Sequence, residues 1–72
     1  MKKLPRDLSG RQVIVALTRA GFELLRWHGS HCLLRRHDTV VAVPDHRVVK
    51  VGTLRRIIHD ADLTVAQFLE LL

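Results

Sequence analysis

The feature that most constrains this chain is the pair Gly29-Ser30, set between two short apolar-rich runs, Phe22 to Trp27 and His31 to Arg36. Glycine reaches positive φ without a Cβ clash, and a two-residue link of this kind between such runs is a hairpin signal. The run before Gly29 is too short for a useful helix, so it reads as a first strand and His31 to Arg36 as a second. Side chains alternate along a strand, so His31, Leu33 and Arg35 share one face, and Cys32, Leu34 and Arg36 the other. His31 then stands at the mouth of the second strand. Its imidazole titrates near neutral pH, so it can take a proton from a weak nucleophile and later return one. That makes His31 the candidate working residue. The competing reading is a solvated turn histidine, one of five histidines in the chain.

The rest of the chain reads as scaffolding for this hairpin. Ser9-Gly10-Arg11-Gln12 has the capping-box spacing, and Val13, Ile14, Leu17 and Ala20 recur at helical intervals before Gly21, a glycine placed to terminate a helix. This predicts a helix from about Gly10 to Ala20, with Arg11 and Arg19 toward solvent. Arg36 to Thr39 is a polar turn, and Thr39 to Val43 is a β-branched run closed by Pro44, hence a third strand. Pro44 to Arg47 is a turn, followed by the ambiguous apolar approach Val48-Val49-Lys50-Val51. Gly52-Thr53 reads as the start of a second helix with Thr53 as its N-cap. Leu54, Ile57 and Ile58 form its apolar stripe, and Arg55, Arg56 and His59 a basic flank. Thr64 to Gln67 repeats the capping-box spacing ahead of Phe68, Leu69, Leu71 and Leu72, which predicts a short terminal helix. The expected fold is α+β, a two-layer sandwich in α-β-β-β-α order with a short C-terminal helix, forming a single domain over residues 1–72. Two amphipathic helices suffice to cover one face of the sheet, leaving the other open.

With 72 residues, a chain buries roughly 60% of its unfolded surface and cannot enclose a deep pocket, so any active site is a shallow surface feature. Hydrophobic residues make up 47%, too many for a disordered tail, while no apolar run approaches the roughly 20 residues of a membrane span. The lead Met1-Lys2-Lys3-Leu4-Pro5-Arg6-Asp7 is basic but has no apolar signal core behind it. A soluble protein of the cytoplasm is expected, and the lone Cys32, which cannot form an internal disulfide, fits that reducing compartment. Twelve Lys and Arg against seven Asp and Glu give a net charge of +5, a balance that favours polyanions, nucleic acid foremost.

Four local patterns, in this order and spacing, resemble the HicA family of bacterial toxins. They are Ala20-Gly21-Phe22 at the end of the first helix, Arg26-x-x-Gly29-Ser30-His31 at the hairpin, Pro44-x-His46 after the third strand, and Gly52-Thr53-Leu54-x-x-Ile57 opening the second helix. The resemblance runs from Leu8 to the C-terminal leucines. It implies a double-stranded-RNA-binding-domain-like fold, metal-independent cleavage of mRNA with His31 as the catalytic histidine, and neutralisation by a co-encoded HicB-type antitoxin that covers the active-site surface. Cys32 departs from the bulky apolar or aromatic residue more usual at its position, and the loop at His37-Asp38 is short.

The chemistry can also be argued from the residues. A ribonuclease needs a base for the 2′-hydroxyl, stabilisation of charge developing on the phosphate, and ideally an acid for the leaving oxygen. His31 is the expected base in an endoribonuclease reaction that leaves a cyclic phosphate. Backbone N–H groups around Gly29 and Ser30 are candidates to hold the phosphate, and Arg26, Arg35, Arg47, Lys50, Arg55 and Arg56 are candidate RNA-binding cations. His46 is open between an acid partner and a hydrogen-bonded turn residue. His28, His37 and His59 read as solvated, and Trp27 as core or edge packing rather than a base-stacking platform. A zinc site built from His28, His31, Cys32 and His46 is disfavoured, because adjacent residues of a strand face opposite ways and the spacing is not that of a helical metal motif. No metal or small-molecule cofactor is expected. The alternative function is a non-catalytic RNA-binding module of the same fold, which would grip RNA by shape.

Overall fold

The computed structural model describes residues 3–72; Met1 and Lys2, the start of the basic lead, lie outside it. Helix α1 spans Gly10–Arg19, strands β1, β2 and β3 span Glu23–His28, His31–Arg36 and Thr39–Pro44, and helices α2 and α3 span Val51–Asp60 and Val65–Glu70. The expected α+β order is therefore the observed one. Both capping boxes form: Ser9 Oγ accepts from Gln12 N while the Gln12 side chain accepts from Ser9 N, and Thr64 and Gln67 make the same exchange at α3. Each such cap is worth about 1 kcal/mol, because it satisfies N–H groups that have no partner within the helix.

The second helix corrects the sequence reading. It begins at Val51 with Lys50 in the N-cap position, and no side chain caps it. Thr53 is the third residue inside the helix rather than its cap. Tertiary anchoring displaces the start: Val49 is buried and donates its N–H to the Leu8 carbonyl at 2.7 Å, which fixes the chain just before the first turn. Leu8 and Leu4 are themselves core residues, so the basic lead also carries two hydrophobic anchors.

The sheet is an antiparallel meander in the order β1-β2-β3. The hairpin closes on the pair His28 and His31 with Gly29 and Ser30 as its two loop residues. Gly29 takes φ 62°, and positive φ at the first loop position alone is the pattern of a type II′ turn. Side-chain parity on β2 is as expected. Cys32 and Leu34 are buried and face the helices together with Val41 and Val43 of β3, whereas His31 and Arg35 are exposed on the opposite face. One buried cluster joins these strand residues to Val13, Ala16 and Leu17 of α1, to Leu54, Ile57 and Ile58 of α2, and to Phe22 and Phe68.

Arg36, the last inward-facing residue of β2, joins the two long helices. Its guanidinium donates to the Ala20 carbonyl at 2.8 Å and to the Ala61 carbonyl at 3.5 Å, and lies 4.7 Å from the Phe22 ring centre. Ala20 and Ala61 are the C-caps of α1 and α2. One cation thus meets the negative ends of both helix dipoles, a favourable placement for positive charge.

Strand β1 is an edge strand, and all six of its residues are exposed. Leu24 pairs with Leu34 and Arg26 with Leu33, so Leu25 is an extra residue bulging out of the ladder. Trp27, opposite Cys32, lies on the helix side, with the Arg11 guanidinium 5.5 Å from its ring centre. It is edge packing, as expected.

Candidate active site

The end of the sheet that carries the Gly29-Ser30 turn is where the chain leaves β3, and three contacts fix that exit. The first is backbone pairing: His31 lies opposite Pro44, and Asp45 N donates to the Ser30 carbonyl at 2.8 Å, extending the ladder one step beyond the strand. The second is the start of α1, where Gly10 N donates to the His46 carbonyl at 2.9 Å. The third is a bidentate ion pair, Arg11 Nε to Asp45 Oδ1 at 3.1 Å and Arg11 Nη2 to Asp45 Oδ2 at 3.2 Å. These hydrogen bonds from Arg11, with its charge, hold the Asp45 carboxyl below the ordinary carboxylate range, and the neighbouring His46 adds a smaller push in the same direction. A loop that composition would leave mobile is thereby tied to the turn before His31.

Gly10 is required by this junction. A Cβ on it would collide with the Pro44 carbonyl oxygen and stand 3.1 Å from Asp45 Cα.

Beyond the tied loop, α2 starts beside the sheet end. Lys50, Thr53 and Arg56 recur at intervals of three and so form one stripe of the helix. With His31, Pro44, His46, Val48 and Val49 they line a concavity of about 310 Å³. Its polar complement is two imidazoles, a hydroxyl, an ammonium and a guanidinium. No carboxylate lines it. Because α2 lacks a side-chain cap, the N–H groups of its first turn also lie at this rim without an intrahelical partner, where the helix dipole favours an anion.

The concavity sorts the residues singled out from sequence. His31, Lys50 and Arg56 come together in it, and Gly29 and Ser30 form the turn directly before His31. Arg26 lies farther along the open face, paired with Leu33, and Arg35 is four residues from His31 at the other end of β2, about 13 Å away at the usual strand rise. There Arg35 lines a separate shallow depression with Gly21, Glu23, Arg36, His37 and Asp38. Arg47 and Arg55 are exposed and do not line the His31 concavity. Two further polar side chains line it, Thr53, which the sequence reading gives to capping, and His46, for which it leaves two roles open. The signal for Thr53 is its spacing from Lys50 and Arg56, which an N-cap at Thr53, three residues beyond the observed cap Lys50, hides. His28 lies directly across the hairpin from His31, at a register position the two-residue loop makes readable.

Cys32 and His31 face opposite sides of the sheet, the thiol fully buried and pushed up by that burial, the imidazole exposed. The two therefore cannot ligate one ion. Among the described residues no three His, Cys, Asp or Glu side chains group closely enough to hold a metal.

Comparison with known families decides what kind of protein this is. The family model described as HicA toxin of bacterial toxin-antitoxin matches residues 10–63, from the first residue of α1 through α2 to the turn before α3. The chain belongs to the HicA toxin family. The HicA match covers α1, the hairpin with His31, the tied loop with His46 and the Lys50, Thr53 and Arg56 stripe, so every residue lining the concavity lies within it. Membership makes the chain the toxin of a toxin-antitoxin system, with a cognate antitoxin as its partner. A comparison with curated proteins finds no match. Among the described residues no helix is long and apolar enough to cross a membrane.

Proposed function

We propose that this HicA-family toxin is a metal-independent endoribonuclease that cleaves mRNA, with His31 as the general base. The observation that carries the reading is the convergence of His31 with Lys50 and Arg56 in one carboxylate-free concavity at the sheet end. His31 removes the 2′-hydroxyl proton, and the 2′-oxygen attacks the adjacent phosphorus to give a 2′,3′-cyclic phosphate. Lys50, Arg56 and the uncapped first turn of α2 hold the phosphate whose charge grows during attack. Arg26, Arg47, Arg55 and Arg35 extend the positive surface around this centre and position the strand without touching the reacting group. General acid–base catalysis supplies about 10² to 10⁴ in rate, so the enzyme is slow, and slow cutting of every message suffices for toxicity. The cytoplasm, where mRNA is found, is its site of action. The antitoxin is of HicB type and silences the toxin by covering this concavity.

The test is cleavage of a long unstructured RNA by the purified chain in excess EDTA, beside His31→Ala matched by far-UV circular dichroism. The expected result is cleavage by the parent, a cyclic phosphate end, and at least a 100-fold loss in the variant. If neither protein cuts and both bind RNA, the chain is instead a binding module of the same fold.

A further inference from the structure

The geometry points to His46 as the general acid of the same reaction, the group that protonates the leaving 5′-oxygen while His31 deprotonates the 2′-hydroxyl. This inference rests on the ribonuclease reading and adds a second catalytic group to it.

His46 is an exposed loop residue, yet the backbone of the Asp45-His46 pair is anchored on two sides. Its carbonyl accepts from Gly10 N, the residue before it donates to Ser30, and the Asp45 carboxylate is gripped by two nitrogens of Arg11. All these contacts use the backbone or the neighbouring side chain, so the His46 imidazole is spent on none of them. A turn that needed His46 only for structure would engage that ring. Here the ring is left to line the concavity with His31, Lys50 and Arg56. Its anchor on Ser30 matters most, because Ser30 immediately precedes His31: the two imidazoles are carried by segments hydrogen-bonded to each other at 2.8 Å. Asp45, the one carboxylate adjoining His46 in the loop, is kept ionised by Arg11 and adjoins the histidine that must carry the extra proton. His31 has Pro44 opposite it and cations across the concavity. Lys50 and Arg56 line the concavity with both rings, and Asp45 is the chain neighbour of His46 alone.

The step balances without a co-reactant. The 2′-hydroxyl proton passes to the neutral ring of His31, the bond from the 2′-oxygen to phosphorus forms, and the bond from phosphorus to the 5′-oxygen breaks. The electron pair left on the 5′-oxygen takes a proton from the His46 imidazolium. The products are a 2′,3′-cyclic phosphate and a 5′-hydroxyl, with His31 protonated and His46 neutral, and proton exchange with solvent resets the pair.

The test compares ordinary RNA with an oligonucleotide in which the scissile 5′-oxygen is replaced by sulfur, a leaving group that departs as a thiolate without an acid. Parent, His31→Ala, His46→Ala and His46→Gln are compared after matching by circular dichroism and melting. The expected result is that both His46 variants lose at least 100-fold on ordinary RNA and come within about tenfold of the parent on the sulfur substrate, whereas His31→Ala is lost on both. Unimpaired cleavage of ordinary RNA by the His46 variants overturns the proposal, and so does an equal loss on both substrates, which would make His46 a positioning residue only. If the parent cuts neither substrate, the ribonuclease reading itself fails and takes the acid with it.

Discussion

Replacing Gly10 by alanine sets two physical effects against each other with opposite signs. Gly10 is the first residue of α1, and helix propensity alone credits Gly→Ala with up to about 1 kcal/mol of stabilisation. The junction with the β3 exit opposes it. The new methyl would overlap the Pro44 carbonyl and crowd Asp45 Cα at 3.1 Å. Both neighbours are backbone atoms that no rotamer change can clear. Forcing backbone apart for one added methyl costs about 1–3 kcal/mol, and moving α1 off the loop also breaks the 2.9 Å bond from Gly10 N to the His46 carbonyl, a further ~1 kcal/mol. The net expectation is a loss of about 2 kcal/mol, which for a domain this small lowers the melting temperature by roughly 8–16 °C. Urea and thermal unfolding of the two proteins measure it directly. A variant as stable as the parent, or more so, would show that α1 does not seat on Pro44 as described and that His46 is not held from this side.

Three further outcomes follow from the same structure. Arg36→Ala should cost about 2 kcal/mol in urea unfolding, since it strips a charged donor from two helix C-caps and the face of Phe22; Arg36→Lys, which cannot bridge two carbonyls with a planar fork, should recover only part. Asp45 has its carboxyl lowered in the folded state by Arg11, so its contribution is present above the unfolded pKa and fades as pH falls through the folded one. Asp45→Asn should therefore melt below the parent at pH 7, with the gap closing from about pH 4 downward; a gap independent of pH would mean the pair is not formed. In the His31→Ala background, Lys50→Ala and Arg56→Ala should each weaken RNA binding and shallow its dependence on salt by about one unit of log–log slope, read by fluorescence anisotropy; an unchanged slope in both would mean that neither cation meets phosphate.

Much of the fold was legible in the sequence because it is written in local chemistry. Ser9 with Gln12 and Thr64 with Gln67 announce two helix starts through hydrogen bonds confined to four residues, and Gly21 marks a helix end by taking φ 97°. Strand alternation placed Cys32 and Leu34 inside and His31 and Arg35 outside. What escaped depends on contacts distant in sequence. The start of α2 is set by Val49 against Leu8, and the burial of Leu4 and Leu8 is invisible beside Lys3, Arg6 and Asp7. The site divides in the same way. His31 was readable from the turn before it. That Lys50 and Arg56 join it while Arg35 and Arg55 do not depends on where α2 begins and which of its faces meets the sheet end.

The bulge at Leu25 bears on how this chain tolerates change in length. Leu24 and Arg26 face Leu34 and Leu33, two consecutive residues of β2, so the ladder already runs without a gap on either side of the extra residue. Losing Leu25 would leave each remaining residue of β1 with the partner it has now, Trp27 still under Arg11 and His28 still opposite His31. A deletion elsewhere in these strands would instead slip the pairing by one and turn every side chain beyond it to the wrong face. The edge strand thus holds one residue of slack, and the two strands that carry the candidate site hold none.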